Sequence, residues 1–257
     1  MFSDLHYIFA FGDRKMVTEN LRTIFPQKPS REINKIRRGI FRNFAKYLVD
    51  FFRYEKLDNE YIKNNIHIEN LKYFDEALKK GKGGIILSAH IGNWELGAVV
   101  VALSGYPLWA VALEHKHKKV TDFFNSQRKS KGVNVIALGK AVRQCFNLLN
   151  DNRIIALVGD RDFSGNGTVT DFFGKPARFP EGPAALALKT GASILPCFMV
   201  RNPDDSFTLW IEKPIELISQ RNKEEDVKRC MREYVKIFEN YIYKYPEQWY
   251  LFKRFWL

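Results

Sequence analysis

Gly84-Ile85-Ile86-Leu87-Ser88-Ala89-His90-Ile91-Gly92-Asn93-Trp94-Glu95 carries an apolar run into a turn, and Leu96 to Leu103 continues it as a second apolar run. The first run has the length and composition of a buried strand, and the second has helical length. A histidine therefore emerges where a strand gives way to a helix, with a carboxylate five residues further on. Within one regular helix, a five-residue separation would set the two side chains about 140° apart. They can meet only if His90 occupies the turn before the helix and folds back.

Working outward, the same strand-then-helix alternation recurs. Strand-like runs fall at 84–88, 108–113, 133–137, 154–158, 194–200 and 207–212. Helical stretches fall between them at 94–103, 118–131, 140–151 and 183–190, and a last helix spans 224–245. A stretch at 70–80 reads as a helix that Gly81 ends as its C′ residue. Such alternation predicts an α/β fold, a mostly parallel central sheet flanked by helices. In that architecture a site forms beyond the C-terminal ends of the strands, where His90 and Asp160–Asp162 both fall. Residues 1–64 read as an N-terminal helical segment that precedes an α/β core at 65–257, the whole forming one structural unit. Its helices are 13–25 and one that starts near Ser30 as N-cap. The second carries Ile33, Ile36, Ile40, Phe44, Tyr47, Leu48 and Phe51 on one stripe and seven Lys or Arg on its other face.

The chain has 257 residues, 46% hydrophobic and 27% charged, an ordinary globular composition. Its 41 Lys and Arg outnumber 29 Asp and Glu for a net charge of +12, which favours an anionic partner. Cys145, Cys197 and Cys230 are far apart, so a disulfide framework or zinc site is not expected, and a reducing compartment is. Residues 1–11 lack the pattern of a signal peptide, and no apolar run reaches the roughly 20 residues that span a bilayer. Any work at a membrane is expected from its surface. The cationic, striped helix at 31–53 and the aromatic, basic tail Trp249–Leu257 are the candidate contacts.

Three segments carry chemistry. A neutral imidazole at His90 can take a proton from an alcohol, and a carboxylate on its other nitrogen would fix the tautomer, the role assigned to Glu95. The pattern is short, and alone it also fits a half-buried histidine that caps a helix. No G-x-S-x-G nucleophile elbow is present. Val158-Gly159-Asp160-Arg161-Asp162-Phe163 places a charged triplet straight after an apolar strand, which is costly unless the charges pair or meet a ligand. Arg161 suits a phosphate, with Asp160 and Asp162 orienting it. A solvated loop with an internal ion pair, or a Mg²⁺ on the two aspartates, is the alternative. Phe172–Pro183 leads Lys175 and Arg178 to an expected helix start at Pro183, an arrangement that favours an anion or is simply a proline-rich loop.

Together these segments resemble the lysophospholipid acyltransferase superfamily, in its branch of bacterial lipid A biosynthesis (late) acyltransferases. The likeness runs from about Arg14 to the C-terminus. It rests on His90–Glu95, Gly159–Asp162, Phe172–Ala177, Gly182–Ala187, Thr190–Pro196 and Tyr245–Trp249. Phe179-Pro180-Glu181-Gly182 is closer to the glycerophosphate-type acyltransferases. The resemblance implies O-acyl transfer from an acyl thioester, on acyl carrier protein or coenzyme A, to a hydroxyl of a membrane lipid or glycolipid such as a lipid A precursor. It implies His90 as general base, Glu95 as its partner, and Asn93, Asp160, Arg161, Asp162, Arg178, Glu181 and Gly182 around the substrate. Backbone N–H groups at Ile91–Asn93 or at Gly182 are the candidate oxyanion donors. No metal and no cofactor beyond the thioester co-substrate is expected. A peripheral place on the cytoplasmic face of the inner membrane is expected, and nucleic acid is not an expected partner. An acyl-thioester hydrolase, or a non-catalytic basic protein of membranes or nucleic acid, is the competing expectation.

Overall fold

A computed structural model describes residues 7–114, 116–163, 165–217 and 222–257, with the side chain of Lys140 excepted. Two N-terminal helices, α1 (Phe11–Ile24) and α2 (Ser30–Phe52), precede a short α3 (Asn59–Asn65). Then come β1 (Ile66–Glu69), α4 (Lys72–Lys79), β2 (Gly84–Ser88), α5 (Trp94–Leu103), β3 (Leu108–Ala112), α6 (Lys118–Ser130), β4 (Val133–Ala137), α7 (Ala141–Asn150) and β5 (Ile154–Val158). A hairpin of β6 (Thr168–Phe172) and β7 (Lys175–Phe179) leads to α8 (Gly182–Thr190). The chain closes with β8 (Ser193–Arg201), β9 (Phe207–Ile211) and α9 (Lys223–Lys244).

The main sheet has seven strands in the order β1-β9-β8-β2-β5-β3-β4. Every pair is parallel except β8 with β9, which are antiparallel. The expected α/β architecture is therefore present. β2 lies near the middle, between β5 and β8, and all of Gly84–Ser88 is buried. Strands covered by helices on both faces read as continuous apolar runs, and this is why β2 and β8 stand out in the sequence. The hairpin β6–β7 and the four-residue β1 are not among the expected strands. β1 takes the sheet's edge beside β9, and the hairpin forms a separate two-stranded sheet.

Most of the apolar stripe of α2 turns inward: Ile33, Ile40, Tyr47 and Phe51 are buried, while Leu48 is exposed. It packs on the C-terminal segment, with Phe44 against Tyr250 and Phe252, and Phe41 against Phe252. Pro29 precedes α2 in extended conformation, so Ser30 is its first helical residue and not its cap. The tail differs from the expected membrane contact. Trp249, Tyr250, Leu251 and Trp256 are all buried, so these aromatics fill the core. Lys253 and Arg254 stay in solvent. Among the described residues, no helix is long and apolar enough to cross a membrane.

Candidate active site

The parallel register of β2 and β5 builds the site. Gly84 pairs with Ile154 and Ser88 with Val158, and the Gly159 N–H extends the ladder to the Ser88 carbonyl at 2.8 Å. His90 and Asp160 each follow two residues past the last strand pair, so the register sets them side by side. His90 Nδ1 and Asp160 Oδ1 are 2.6 Å apart. Among the described residues, no partner meets His90 Nε2. The His90 side chain is 17% exposed and Asp160 is fully buried.

The turn that carries His90 is fixed from several sides. Gly92 adopts φ +61°, and a Cβ there would lie 1.9 Å from the Met199 carbonyl oxygen, so both conformation and space require glycine. Asn93 N–H donates to that same carbonyl at 2.8 Å. The Asn93 side chain caps α5 by accepting from Leu96 N–H at 3.0 Å, and its Nδ2 donates to Asp50 of α2 at 3.0 Å. A C-terminal strap lies along the turn. Gly92 N–H donates to the Gln248 carbonyl at 2.8 Å, and Tyr250 N–H donates to the His90 carbonyl at 2.9 Å. Trp249 Nε1–H donates to Asp160 Oδ2 at 3.0 Å. Trp94 packs its ring against His90 at 4.9 Å and stacks on Tyr47 of α2 at 4.5 Å.

Burial alone would push the Asp160 carboxyl up. The charge and hydrogen bond of His90, the charge of Arg161 and the indole of Trp249 outweigh it and hold the carboxyl well below the usual range. Asp160 is thus an ionised, fully buried acceptor beneath the imidazole. Asp50 shows the opposite balance: burial raises it, and Arg201 and Asn93 offset only part of that rise.

Glu95, the expected partner of His90, is elsewhere. It opens α5 and faces α6, where Arg128 donates through Nε to Oε2 at 2.8 Å and through Nη2 to Oε1 at 2.5 Å. The helical turn carries Glu95 away from the strand ends, and a buried arginine takes both its oxygens. The other expected residues divide. Both oxygens of Asp160 are taken, one by His90 and one by Trp249. Asn93 is buried and structural. Asp162 accepts from Gly167 N–H at 2.8 Å, Arg178 donates to the Gly167 carbonyl at 2.7 Å, and Glu181 bonds Thr168. These three shape the hairpin β6–β7. Arg161 stays beside the dyad, with Nη2 on the Tyr250 carbonyl. Its Nε is buried and meets no partner among the described residues. Gly182 opens α8, whose Pro183 nears Gly159. The N–H groups of Ile91, Gly92 and Asn93 all donate to protein carbonyls, so they are not open to an oxyanion.

A family model described as bacterial lipid A biosynthesis acyltransferase matches residues 4–257. The chain belongs to this family. Among its relatives is a phosphatidylinositol mannoside acyltransferase of Mycolicibacterium smegmatis, 29% identical over 194 residues, covering 74% of this chain and 64% of that protein. Another of the same description, from Mycobacterium tuberculosis H37Rv, is 28% identical over 196 residues, covering 74% and 62%. The match spans a little under two thirds of these relatives' length. The crystal structure of a 1-acyl-sn-glycerophosphate acyltransferase from Thermotoga maritima compares at a TM-score of 0.41 and 14% identity, covering 93% of this chain and 98% of that one.

Sequence reasoning on this lipid A acyltransferase family member misses Arg128, Asp50 and the role of Trp249. Arg128 is one cation in a helix full of polar residues, and Asp50 sits between Val49 and Phe51 near the end of an apolar stripe. Neither carries a local signal. Trp249 does have one, since it belongs to the Tyr245–Trp249 block on which the resemblance rests.

Proposed function

We propose that this chain is an acyltransferase that moves a fatty acyl group from an acyl thioester, on acyl carrier protein or coenzyme A, to a hydroxyl of a membrane lipid or glycolipid. A lipid A precursor and a phosphatidylinositol mannoside-like glycolipid are the acceptors that its family and relatives suggest. One observation carries the reading: an accessible imidazole whose Nδ1 rests on a buried, ionised carboxylate at 2.6 Å. With Asp160 as acceptor, Nδ1 holds the proton and Nε2 is the free base. Among the described residues, no serine or cysteine side chain bonds His90, so the base serves a substrate hydroxyl directly.

His90 Nε2 takes the hydroxyl proton while the oxygen attacks the thioester carbonyl. The tetrahedral oxyanion collapses, the C–S bond breaks, and the imidazolium returns its proton to the departing thiolate. Asp160 stabilises the imidazolium in between. The N-terminus of α8 at Gly182 is the remaining candidate for the oxyanion, because the donors of the His90 turn are already bound. Arg161 would hold an acceptor phosphate; its buried and unpartnered Nε supports this.

The reaction would take place on the surface of an anionic leaflet, the cytoplasmic face of the inner membrane. Leu48, Val49 and Phe52 leave α2 on its exposed side, next to the turn whose Tyr47 stacks on Trp94. Phe52 meets Phe123 of α6 at 5.4 Å, and Val120 is exposed on the same helix. Arg53 and Lys119 adjoin these apolar residues, as an interfacial contact requires.

The test supplies labelled acyl-carrier-protein and acyl-coenzyme A with a total bacterial lipid extract, and compares wild type with His90→Ala. Label is expected in a lipid with wild type alone, and the product identifies the acceptor. Equal incorporation by the mutant, or release only as free acid, would overturn the reading.

A further inference from the structure

We propose that Trp249 is a positioning residue of the dyad: its indole N–H locks Asp160 as a two-sided acceptor and thereby sets the tautomer of His90. The inference rests on the acyltransfer reading for its catalytic consequence, but its geometry stands apart from any substrate.

Asp160 has two oxygens and no solvent. Oδ1 meets His90 Nδ1 at 2.6 Å, and Oδ2 meets Trp249 Nε1 at 3.0 Å. An indole nitrogen only donates. Oδ2 must therefore accept, and a proton on that oxygen would confront another N–H. With both oxygens accepting, the proton between Asp160 and His90 belongs to Nδ1, and the lone pair of Nε2 is left for the substrate hydroxyl. A carboxylate held at one oxygen can also rotate about its Cβ–Cγ bond. The second bond fixes its plane and so the direction of the imidazole.

The indole can do this because it cannot move. Trp249 is 2% exposed. Its rings are packed edge-on by Phe172, Phe255 and Trp256 at 6.1, 5.5 and 6.3 Å. Its backbone pairs with Ile91 in an antiparallel bridge, between the two strap bonds to Gly92 and His90. The preceding Gln248 bonds both the N–H and the carbonyl of Arg201 at 2.9 and 2.8 Å, which ties the strap to β8. One strap residue thus reads the His90 turn through its main chain and the Asp160 loop through its side chain.

Trp256 supplies the matched control. Its Nε1–H donates to the Phe172 carbonyl at 2.8 Å, its ring is also buried, and among the described residues it makes no hydrogen bond to the dyad. The experiment replaces each tryptophan in turn with 3-benzothienylalanine, which keeps the bicyclic shape and exchanges N–H for sulfur. At position 249 we expect kcat to fall about tenfold, the scale of one lost buried hydrogen bond, with KM for donor and acceptor unchanged. At position 256 kcat should stay within twofold of wild type. A second readout needs no turnover: the Nδ1 proton and ¹⁵N resonances of His90 should move on replacement of Trp249 and not of Trp256. Unmoved resonances and unchanged kcat at position 249, or equal effects at both positions, would overturn the proposal. Asp160→Asn separates the two readings. If that variant keeps full activity the dyad reading itself fails, whereas a large loss there with a silent Trp249 replacement defeats only the role given to Trp249.

Discussion

Arg128 grips both carboxylate oxygens of Glu95, and the imidazole of His90 faces Asp160 instead. The pair is nearly sealed, with Glu95 11% and Arg128 9% exposed at the side chain. A bidentate buried ion pair that joins α5 to α6 is a structural clasp, and the position of Glu95 beside the histidine in sequence conceals this.

The two carboxylates should therefore fail differently. Glu95→Gln breaks one side of a buried pair and leaves Arg128 uncompensated, a loss of about 3–5 kcal/mol of stability. The folded fraction should turn over at near wild-type kcat. Asp160→Asn should lower kcat by roughly 10²–10⁴-fold by favouring the wrong tautomer. Thermal unfolding and steady-state kinetics on both variants check this. A folded Glu95→Gln protein with a kcat as low as that of Asp160→Asn would return Glu95 to the chemistry.

Gly92→Ala should disable the site without removing any functional group. The new Cβ would meet the Met199 carbonyl oxygen, and alanine resists φ +61°. The turn must shift, and with it the bonds to Gln248 and Met199 that hold His90. A stability loss of about 1–3 kcal/mol is expected from the strain alone, together with a fall in kcat of an order of magnitude or more. Gly105→Ala is the comparison, since a Cβ there meets nothing although φ is also positive. It should cost some stability and leave kcat intact.

The strand–helix alternation made the sheet legible, because β2 and β8 are buried on both faces and, like the partly buried β5, carry unbroken apolar runs. The hairpin β6–β7 was not legible. It lies outside the main sheet, alternates buried and exposed residues, and contains Pro176 and several charges. The place of His90 at a strand end was legible. The carboxylate it meets was not, because the pairing depends on the parallel register that joins positions 70 residues apart. Local spacing offers the nearest carboxylate, Glu95, while the register selects Asp160. The tail misleads for a related reason. Aromatic residues with two cations describe a membrane interface and a buried strap equally well, and only packing against α2 and the hairpin distinguishes them.

Asp160 also gives stability a pH signature. Its folded-state pKa lies below the ordinary carboxylate value, so folding favours the ionised form. The stabilisation is complete above the unfolded value of about 4 and is lost as pH falls through the folded one. The gap in Tm between wild type and Asp160→Asn should be widest at pH 6–7 and shrink steadily below about pH 4. Thermal unfolding of both proteins across that range checks it. A gap that is constant with pH would mean that the ionised carboxylate adds nothing to the fold.

The exposed edge of α2 gives the last expectation. Phe52 is 61% and Val49 54% exposed, too open for the core to need them. If they enter an anionic leaflet, each buried side chain contributes on the order of 1.5–3 kcal/mol, and Val49→Ser with Phe52→Ser should weaken vesicle binding by roughly 10²-fold or more. Tm should hardly change, because neither residue is buried in the fold. The apolar edge adjoins Tyr47 and Trp94, so the same double variant should also lose transfer to a lipid held in vesicles while keeping transfer to an acceptor dispersed in detergent. Co-sedimentation with phosphatidylglycerol-containing vesicles, at low and at raised salt, measures the first effect, and parallel assays in vesicles and detergent measure the second. Unchanged vesicle binding by the double variant would move the membrane contact to another face of the molecule.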